Sequence, residues 1–150
     1  MAELHQISFP IEKELSQCVE LYDKVLSHED DLLGTSLEHV RSRKGKMMRP
    51  ILVLLTAKEF APVNEVTYNV ALALELFHNA SLLHDDVVDE SDERRGLKSV
   101  NAKFGNKLAV LVGDYLLSLA LQQSVKTGKM PIVNRISELG ILLSEGEVKQ

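Results

Sequence analysis

The chain has 150 residues, of which 45% are apolar and 26% are charged, the balance of a globular protein rather than a disordered one. Its net charge of −5 argues against a general nucleic-acid binder. Cys18 is the single cysteine, which excludes an intrachain disulfide and a cysteine-based zinc cluster.

Helical periodicity dominates the first part of the chain. Apolar residues recur at steps of three and four over residues 11–26, which predicts an amphipathic helix that Pro10 precedes and Gly34 ends. A short helix over about residues 36–43 follows. The next predicted helix covers residues 50–60, opens at a proline and is apolar on most sides, so we expect it to be buried.

The rest of the chain continues as helices and polar loops. No signal-peptide pattern is present, and no apolar run approaches the roughly 18 residues of a membrane span, so we expect a cytoplasmic protein with no integral membrane segment. The sequence therefore predicts an all-α antiparallel helix bundle. The remaining predicted elements are an N-cap at Asn64, a long helix over about 65–89, a polar loop over 90–96, short helical segments near Ser99, an apolar helix over about 106–125 that ends at Thr127-Gly128, and a last helix from Pro131 toward Gln150.

Three aspartates, Asp85, Asp86 and Asp89, end the predicted long helix. At about 100° per residue, Asp89 lies about 40° from Asp85 and Asp86 about 100° from it, so we expect the three carboxylates to share one helical face. Negative charges at a helix C-terminus are opposed by the macrodipole and repel one another. A divalent cation would offset this cost, and carboxylates suit Mg²⁺, which commonly bridges to substrate phosphates. The alternative is a solvated acidic surface.

Two features beside the aspartates favour a binding site. The segment 81–83 is mainly apolar, so the acids emerge from a buried helix. Arg94 and Arg95 follow on a loop, and adjacent arginines can make bidentate contacts with phosphate oxygens, although charge balance with nearby acids would explain either one alone. His78 lies about 20° from Asp85 on the wheel, where a core role and a ligand role are equally open.

A basic segment precedes the predicted helix at 50–60. Five positive charges fall within nine residues, at Arg41, Arg43, Lys44, Lys46 and Arg49. Lys46 and Arg49 would flank an anion near the helix N-terminus, where phosphate binding is favoured. A basic surface is the alternative, and the lack of interleaved aromatic residues argues against single-stranded nucleic acid.

A carboxylate trio, two basic sets and apolar helices together suit a substrate with a diphosphate head and a hydrocarbon tail. The chain resembles the trans-isoprenyl diphosphate synthases (polyprenyl synthases), and among them the long-chain, octaprenyl-type enzymes. The resemblance implies one isoprenoid-synthase helix bundle over residues 1–150. Four segments carry it in order: GKMMRP (45–50), HNASLLHDDVVDESDERRG (78–96), FGNKLAVLVGDYLL (104–117) and GEVKQ (146–150).

The resemblance implies a prenyltransferase that joins isopentenyl diphosphate to an allylic prenyl diphosphate. Metal-assisted loss of the allylic diphosphate would be followed by attack of the isopentenyl double bond and loss of a proton. Expected partners are the two substrates and a second copy in a homodimer, with no nucleic acid. By resemblance, Asp85, Asp86 and Asp89 bind Mg²⁺ that holds the allylic diphosphate, Arg94 contacts that diphosphate, and Lys46, Arg49, His78 and Arg95 bind isopentenyl diphosphate.

The resemblance also bears on product length. In that family, the side chains four and five positions before the first aspartate help to set it. Here they are Ser81 and Ala80, which are both small. Small residues would leave a tunnel open, so we expect a long-chain product.

The chain departs from the family pattern in two ways. Lys44 and Met47 stand where the family has Gly and Arg, which shifts the positive charge of the basic motif. The chain also lacks a second aspartate-rich motif and has about half the family's length, so we expect a domain truncated at its C-terminal end, inactive alone, whose uncovered helix faces drive oligomer formation. Two other functions stay open: a non-catalytic or half-site subunit of a heteromeric prenyltransferase, and a helical interaction protein with a surface acidic cluster.

Overall fold

The predicted all-α class is confirmed. The structure, a computed structural model, describes residues 2–29 and 31–149, and within these ranges helices account for nearly all regular structure. In order, the elements are α1 (Ala2–Ser8), a 3₁₀ turn (Phe9–Ile11), α2 (Glu12–Val25), α3 (Asp31–Ser42), α4 (Met48–Phe60), α5 (Glu65–Val88), β1 (Glu93–Arg94), β2 (Leu97–Lys98), α6 (Val100–Phe104), α7 (Asn106–Lys126) and α8 (Met130–Lys149).

Helix α5 is the central element and begins at a side-chain cap. The Asn64 side chain accepts a hydrogen bond from the Thr67 backbone N–H over 3.2 Å, and the Thr67 hydroxyl accepts one from the Asn64 backbone N–H over 3.5 Å. This reciprocal capping satisfies two amides at the helix start. The predicted N-cap at Asn64 is confirmed. It fixes the start of α5, whose C-terminal end is acidic.

Helix α7 packs along α5 and forms the largest helix contact among the described elements. Ala109, Val112 and Leu116 are fully buried on its inner face. Gly113 lies where a Cβ would collide with the His84 ring of α5, so the absence of a side chain lets the two helices approach. By length and composition α7 would also suit a membrane span. The sequence did not indicate this, because no uninterrupted apolar run is long enough. The core helix of a globular protein can have the same composition.

The interior is a single cluster of buried apolar side chains that joins the helices around α5. Because α2, α4 and α7 all contribute to this cluster, the site at the end of α5 rests on a packed support. The largest fully buried members include Tyr22, Ile11, Leu37, Leu54, Leu76 and Leu116.

The expectation that Gly34 ends a helix is wrong. Gly34 lies inside α3 (Asp31–Ser42), and the preceding helix already ends at Val25. A Cβ at Gly34 would lie 2.7 Å from the carbonyl oxygen of His28. The glycine therefore permits close approach of the incoming chain, and it does not break the helix.

The expectation that the helix at 50–60 is buried is also wrong in part. Helix α4 begins two residues earlier than predicted, so Pro50 occupies its first turn. Pro50, Ile51 and Leu54 are buried, but Leu52 is 59% exposed and Phe60 is 87% exposed. Only one face of α4 therefore packs within the described bundle.

Candidate functional site

The acidic end of α5 presents its three aspartates in different environments. Asp89 is exposed and Asp85 is half-buried, whereas Asp86 is 1% exposed. Burial raises the pKa of Asp85, the carboxylates of Asp89 and Asp86 raise it further, and Arg94 opposes them. The aspartates therefore act on one another electrostatically. The alternative interpretation, a solvated acidic surface, does not hold for Asp86 because that residue is buried.

The carboxylate of Asp86 does not share the face of its neighbours, contrary to the expectation. Its Oδ1 accepts a hydrogen bond from Nε of Arg94 over 2.6 Å, in an ion pair where the Asp86 side chain is 2% exposed. A position one residue after Asp85 is rotated by about 100° around the helix. That rotation is enough to turn Asp86 toward the bundle interior, where it pairs with Arg94.

The donor set at this helix end fits a divalent cation through two of the three aspartates. Among the described residues, no three His, Cys, Asp or Glu side chains lie together as a metal-binding group. Asp85 and Asp89 lie one helical turn apart, and Mg²⁺ commonly uses one or two carboxylates with water and substrate phosphates for its remaining ligands. Asp86 would become a ligand only after its ion pair with Arg94 opens.

The two adjacent arginines lie on a tight hairpin rather than in an irregular loop. Arg94 pairs with Leu97 across the two short strands, which leaves Arg95 and Gly96 as the turn. Both turn residues have positive φ, 55° at Arg95 and 76° at Gly96, as a type I′ turn requires. Holding a non-glycine residue there costs roughly 1–2 kcal/mol, so the hairpin fixes Arg95 in a disfavoured conformation.

A basic cluster forms where this hairpin meets α4 and α5. The pKa of His78 on α5 is lowered to about 4, by burial first and then by the charges of Arg49, Arg95 and Arg94. The charges that lower this pKa come from two separate segments of the chain, the start of α4 and the hairpin. Of the residues predicted to bind isopentenyl diphosphate, Arg49 and Arg95 act electrostatically on His78, as does Arg94, which was predicted for the allylic diphosphate. Lys46 is not among the groups that shift this pKa.

The start of α4 is suited to an anion. Met47 has φ 52° and provides no side-chain cap, and no acidic residue occupies the first turn. Arg49 is exposed in that turn, and Lys46 is exposed just before it. Cations are disfavoured at a helix N-terminus, whereas anions are favoured there, so a bound anion would satisfy both the helix end and the two basic side chains.

Sequence reasoning missed the part that Glu75 takes in this cluster. Glu75 is 3% exposed, and its pKa is raised by burial and lowered by Arg49, by a hydrogen bond from Asn79 and by Arg95. It is a buried carboxyl group on which the charges of Arg49 and Arg95 act. Its position on the helical wheel, near the face of His78, was the available signal.

The basic segment before α4 divides its charges between different partners. The Lys44 ammonium pairs with the Asp23 carboxylate on α2 at 2.6 Å and lies 5.8 Å from the centre of the Tyr22 ring. Arg43 instead turns inward and is 9% exposed. Arg43 was not singled out from its neighbours by sequence, because only the fold shows which charge of the segment enters the interior.

A small cavity lies between Arg43, Asp86, Arg94 and Arg95. Its volume of about 30 Å³ leaves room for a water molecule or two and not for a diphosphate. The Asp86 carboxylate is therefore closed off from any large ligand in this conformation, whereas the Arg94 side chain is 30% exposed. A large ligand would meet the more accessible side chains, among them Arg94, Asp85, Asp89 and Arg49.

The two residues predicted to control product length differ in exposure. Ala80 is 2% exposed, so its side chain is packed within the bundle. Ser81 is half-buried, and its hydroxyl donates to the His78 carbonyl oxygen over 2.9 Å. Ser81 rather than Ala80 is thus the more accessible of the two side chains.

Comparison with known proteins matches these features. The family model for polyprenyl synthetase covers residues 30–150. The octaprenyl diphosphate synthase of Escherichia coli (strain K12) is 40% identical over 125 residues, which are 83% of this chain and 39% of that protein. The polyprenyl synthase of Caulobacter crescentus CB15, solved as a complex with calcium and isoprenyl diphosphate, has a TM-score of 0.90 and 29% identity over 97% of this chain and 44% of its own.

A third relative carries a different product name. The geranylgeranyl pyrophosphate synthase of Bacteroides thetaiotaomicron is 44% identical, with a TM-score of 0.79, over 97% of this chain and 43% of its own. The chain thus spans less than half the length of each of these three relatives. The predicted resemblance is confirmed: the chain belongs to the polyprenyl synthetase family.

Proposed function

We propose that the chain forms the diphosphate-binding part of a prenyltransferase that condenses isopentenyl diphosphate with an allylic prenyl diphosphate. One observation carries this proposal: the hairpin that holds Arg94 and Arg95 is bonded both to the acidic end of α5, through Asp86, and to the basic segment before α4, through Arg43. The cations suit one diphosphate group, and the carboxylates suit a metal ion that holds another. Names of the matched relatives point to the same reaction class.

The allylic diphosphate is assigned to the acidic end of α5. Asp85 and Asp89 would hold Mg²⁺, and Asp86 would join them once Arg94 leaves it for a diphosphate oxygen. The ion, when bound, would neutralise negative charge on the leaving diphosphate. Arg94, which is 30% exposed on its side chain, provides the second source of positive charge at that leaving group.

Isopentenyl diphosphate is assigned to the basic cluster. Lys46 and Arg49 present charges at the uncapped start of α4, and Arg95 is fixed by the hairpin turn. His78 is neutral at physiological pH because its pKa is about 4. It can therefore donate a hydrogen bond to a phosphate without adding another charge to the cluster.

The hydrocarbon part of the substrate needs a dry surface beside these groups. An open apolar groove of about 450 Å³ lies between the end of α4 and the start of α5, lined by Leu52, Val53, Phe60, Val66 and Val70 among others, and Val70 is about 22 Å along α5 from Asp85. After the allylic carbon–oxygen bond breaks, the isopentenyl double bond attacks the carbocation and a proton leaves. This chemistry requires no nucleophilic side chain, but it does require water to be excluded.

A long-chain trans product is the finer part of this proposal. The small, half-buried side chain of Ser81, four residues before Asp85, supports it. Relatives named for octaprenyl and geranylgeranyl products match the chain comparably well. Because the chain spans less than half the length of these relatives, we expect no turnover by the chain alone, and a homodimer and a cytoplasmic location stay predictions.

Calorimetric titration with farnesyl diphosphate, with and without Mg²⁺, tests the proposal. We expect binding that depends on Mg²⁺ and that weakens about tenfold in Asp85→Asn or Asp89→Asn, because each loses one carboxylate ligand. Asp92→Asn, at an exposed position outside the helix, is the matched control and should leave binding unchanged. Binding with equal affinity in the absence of Mg²⁺ would contradict the metal assignment.

A further inference from the structure

Arg43 and the hairpin exchange hydrogen bonds in both directions. Nη2 of Arg43 donates to the carbonyl oxygen of Arg94 over 3.2 Å, and Nη1 of Arg95 donates to the carbonyl oxygen of Arg43 over 2.7 Å. Arg43 directly follows α3, at the start of the segment that leads to Lys46 and α4. The two bonds therefore connect the two basic parts of the site.

The junction around these bonds leaves little free space. A Cβ at Gly45 would lie 2.6–2.7 Å from the guanidinium atoms of Arg95, so the guanidinium rests directly on the glycine backbone. On the other side, Lys44 is held by the ion pair with Asp23. Residues 43–45 are thus anchored to α2 and to the hairpin at once.

Arg43 also contributes charge beside the buried Asp86. It is 9% exposed, and its Nε has no hydrogen-bond partner among the described residues. Burial lowers the pKa of Arg43, and Asp86 acts in the opposite direction. If Arg94 turns to a diphosphate, Asp86 loses its ion-pair partner, and Arg43 and Arg95 are the guanidinium groups left at the same cavity, of which Arg43 is buried and Arg95 is exposed.

We propose that Arg43 is a positioning residue that holds the Arg94–Arg95 hairpin against the basic segment and stays as the cation beside Asp86 when Arg94 engages a diphosphate. The inference about Arg94 rests on the proposed function. The inference about the hairpin rests on the two hydrogen bonds and on the burial of Arg43. Leaving Asp86 without any cation would cost free energy that a ligand on Arg94 would have to supply.

The test compares Arg43→Met, Arg43→Lys and the control Arg41→Met, which removes an arginine of α3 that pairs with the exposed Glu38. Amide hydrogen exchange of the hairpin is measured on each purified chain. Arg43→Met should accelerate exchange about tenfold, because one charge-assisted hydrogen bond is lost. Arg43→Lys should restore most of the protection, and Arg41→Met should match the parent chain.

A second measurement follows inorganic pyrophosphate binding in the presence of Mg²⁺, together with the NMR signal of the Arg94 Nε–H. In the parent chain that signal should shift on pyrophosphate addition. Arg43→Met should bind about tenfold more weakly, with rescue by Arg43→Lys, since a single favourable charge near Asp86 is worth about that much. A shift without any loss of affinity in Arg43→Met would overturn the role of Arg43 beside Asp86.

The two measurements separate the inference from the proposed function. Unchanged hairpin exchange in Arg43→Met overturns the positioning role, whatever pyrophosphate does. Faster exchange together with no pyrophosphate binding by the parent chain supports the hairpin role and contradicts the proposed function. If Arg43→Met does not fold, Gly45→Ala disturbs the same junction by displacing the Arg95 guanidinium, and normal hairpin exchange in that variant overturns the inference.

Discussion

Nε of Arg94 donates to Oδ1 of Asp86 over 2.6 Å, and this ion pair joins the hairpin to the acidic end of α5. Asp86 was expected to bind Mg²⁺ and Arg94 to contact the diphosphate that this ion holds, and here the two side chains pair with each other. The Asp86 side chain is 2% exposed and that of Arg94 is 30% exposed. Asp86 therefore depends on its basic neighbours, while Arg94 can exchange Asp86 for another anion at the surface.

Removal of the arginine should show this dependence. We expect Arg94→Ala to lower the free energy of unfolding by about 1–3 kcal/mol, since a buried carboxylate loses its hydrogen-bonded partner and Arg43 compensates only in part. Urea denaturation followed by circular dichroism measures the change. Arg41→Ala, which breaks an exposed pair with Glu38, should change stability by less than about 0.5 kcal/mol; equal losses in the two variants would contradict a special role for the Asp86 pair.

His78 should make stability depend on pH. Its pKa falls from the ordinary 6.5 to about 4 in the folded chain, chiefly because of burial and then because of Arg49, Arg95 and Arg94. Between these two values the unfolded chain binds a proton that the folded chain does not, so this contribution to stability is lost as pH falls from about 6.5 toward 4. His39, whose pKa is also lowered by burial, contributes with the same sign.

The variant His78→Gln isolates this contribution. Urea midpoints at pH values near the two ends of that window should differ less in His78→Gln than in the parent chain. His5→Gln, at an exposed position on α1, is the control and should keep the parent's dependence. An unchanged pH slope in His78→Gln would show that His78 is not held neutral by the cluster.

Features that depend on neighbouring residues could be predicted from the sequence, and features that depend on distant ones could not. The Asn64 cap was predictable because its partner, Thr67, is three residues away. The role of Gly34 was not, since it is set by the carbonyl oxygen of His28. The pairing of Asp86 with Arg94 was not predictable either. Arg94 approaches on a hairpin whose turn contains an arginine, which is an uncommon residue for positive φ.

Only the fold could identify Arg43. Arg41 lies in the last turn of α3 and Arg43 directly follows that helix, and one of the two is buried. Nothing in the residue types shows which one. The structure buries Arg43 and leaves Arg41 paired with exposed Glu38. Within the basic segment, one arginine therefore points inward, and Lys44 is held by its ion pair with Asp23 on α2.

A larger side chain at Ser81 should shorten the product. In the whole enzyme, Ser81→Phe is expected to shift the product distribution toward shorter chains, because the ring would occupy space beside Asp85 that a growing chain would need. Chromatography of the reaction products measures this change. Ser118→Phe, at an exposed position on α7, should leave product length unchanged, whereas Ala80→Tyr is a poorer test because Ala80 is 2% exposed and overpacking would destabilise the fold.

The chain should self-associate through apolar side chains that its own helices leave uncovered. On α8, Leu142 is 66% exposed and Val148 is 86% exposed, and on α7 Val125 is 65% exposed. Contiguous exposed apolar surface favours association. Sedimentation velocity should therefore show oligomers, and Leu142→Glu should weaken association by about tenfold or more, while Ser137→Glu on the same helix adds the same charge with a smaller effect. A purely monomeric parent chain would contradict this prediction.

The contact between Gly113 and His84 gives a signed prediction about helix packing. In a helix interior, alanine is favoured over glycine by about 1 kcal/mol, and Gly146→Ala on α8 should gain up to that amount because a Cβ there meets nothing within 4 Å. Gly113→Ala should not gain it, because the new Cβ displaces the His84 ring. His84 would then lose its contacts with the Val110 carbonyl oxygen, 3.3 Å away, and with the Asp114 carboxylate, also 3.3 Å away.

A second substitution separates the steric effect from helix propensity. In a His84→Ala background the obstacle is absent, so Gly113→Ala should there increase the free energy of unfolding by about 1 kcal/mol, the full propensity difference. In the parent background the same substitution should be neutral or destabilising, since lost hydrogen bonds of about 1 kcal/mol each offset the gain. Urea denaturation of the four chains in this cycle measures the coupling. If Gly113→Ala stabilises the parent chain as much as Gly146→Ala does, then close approach of α5 and α7 does not require a glycine at this position.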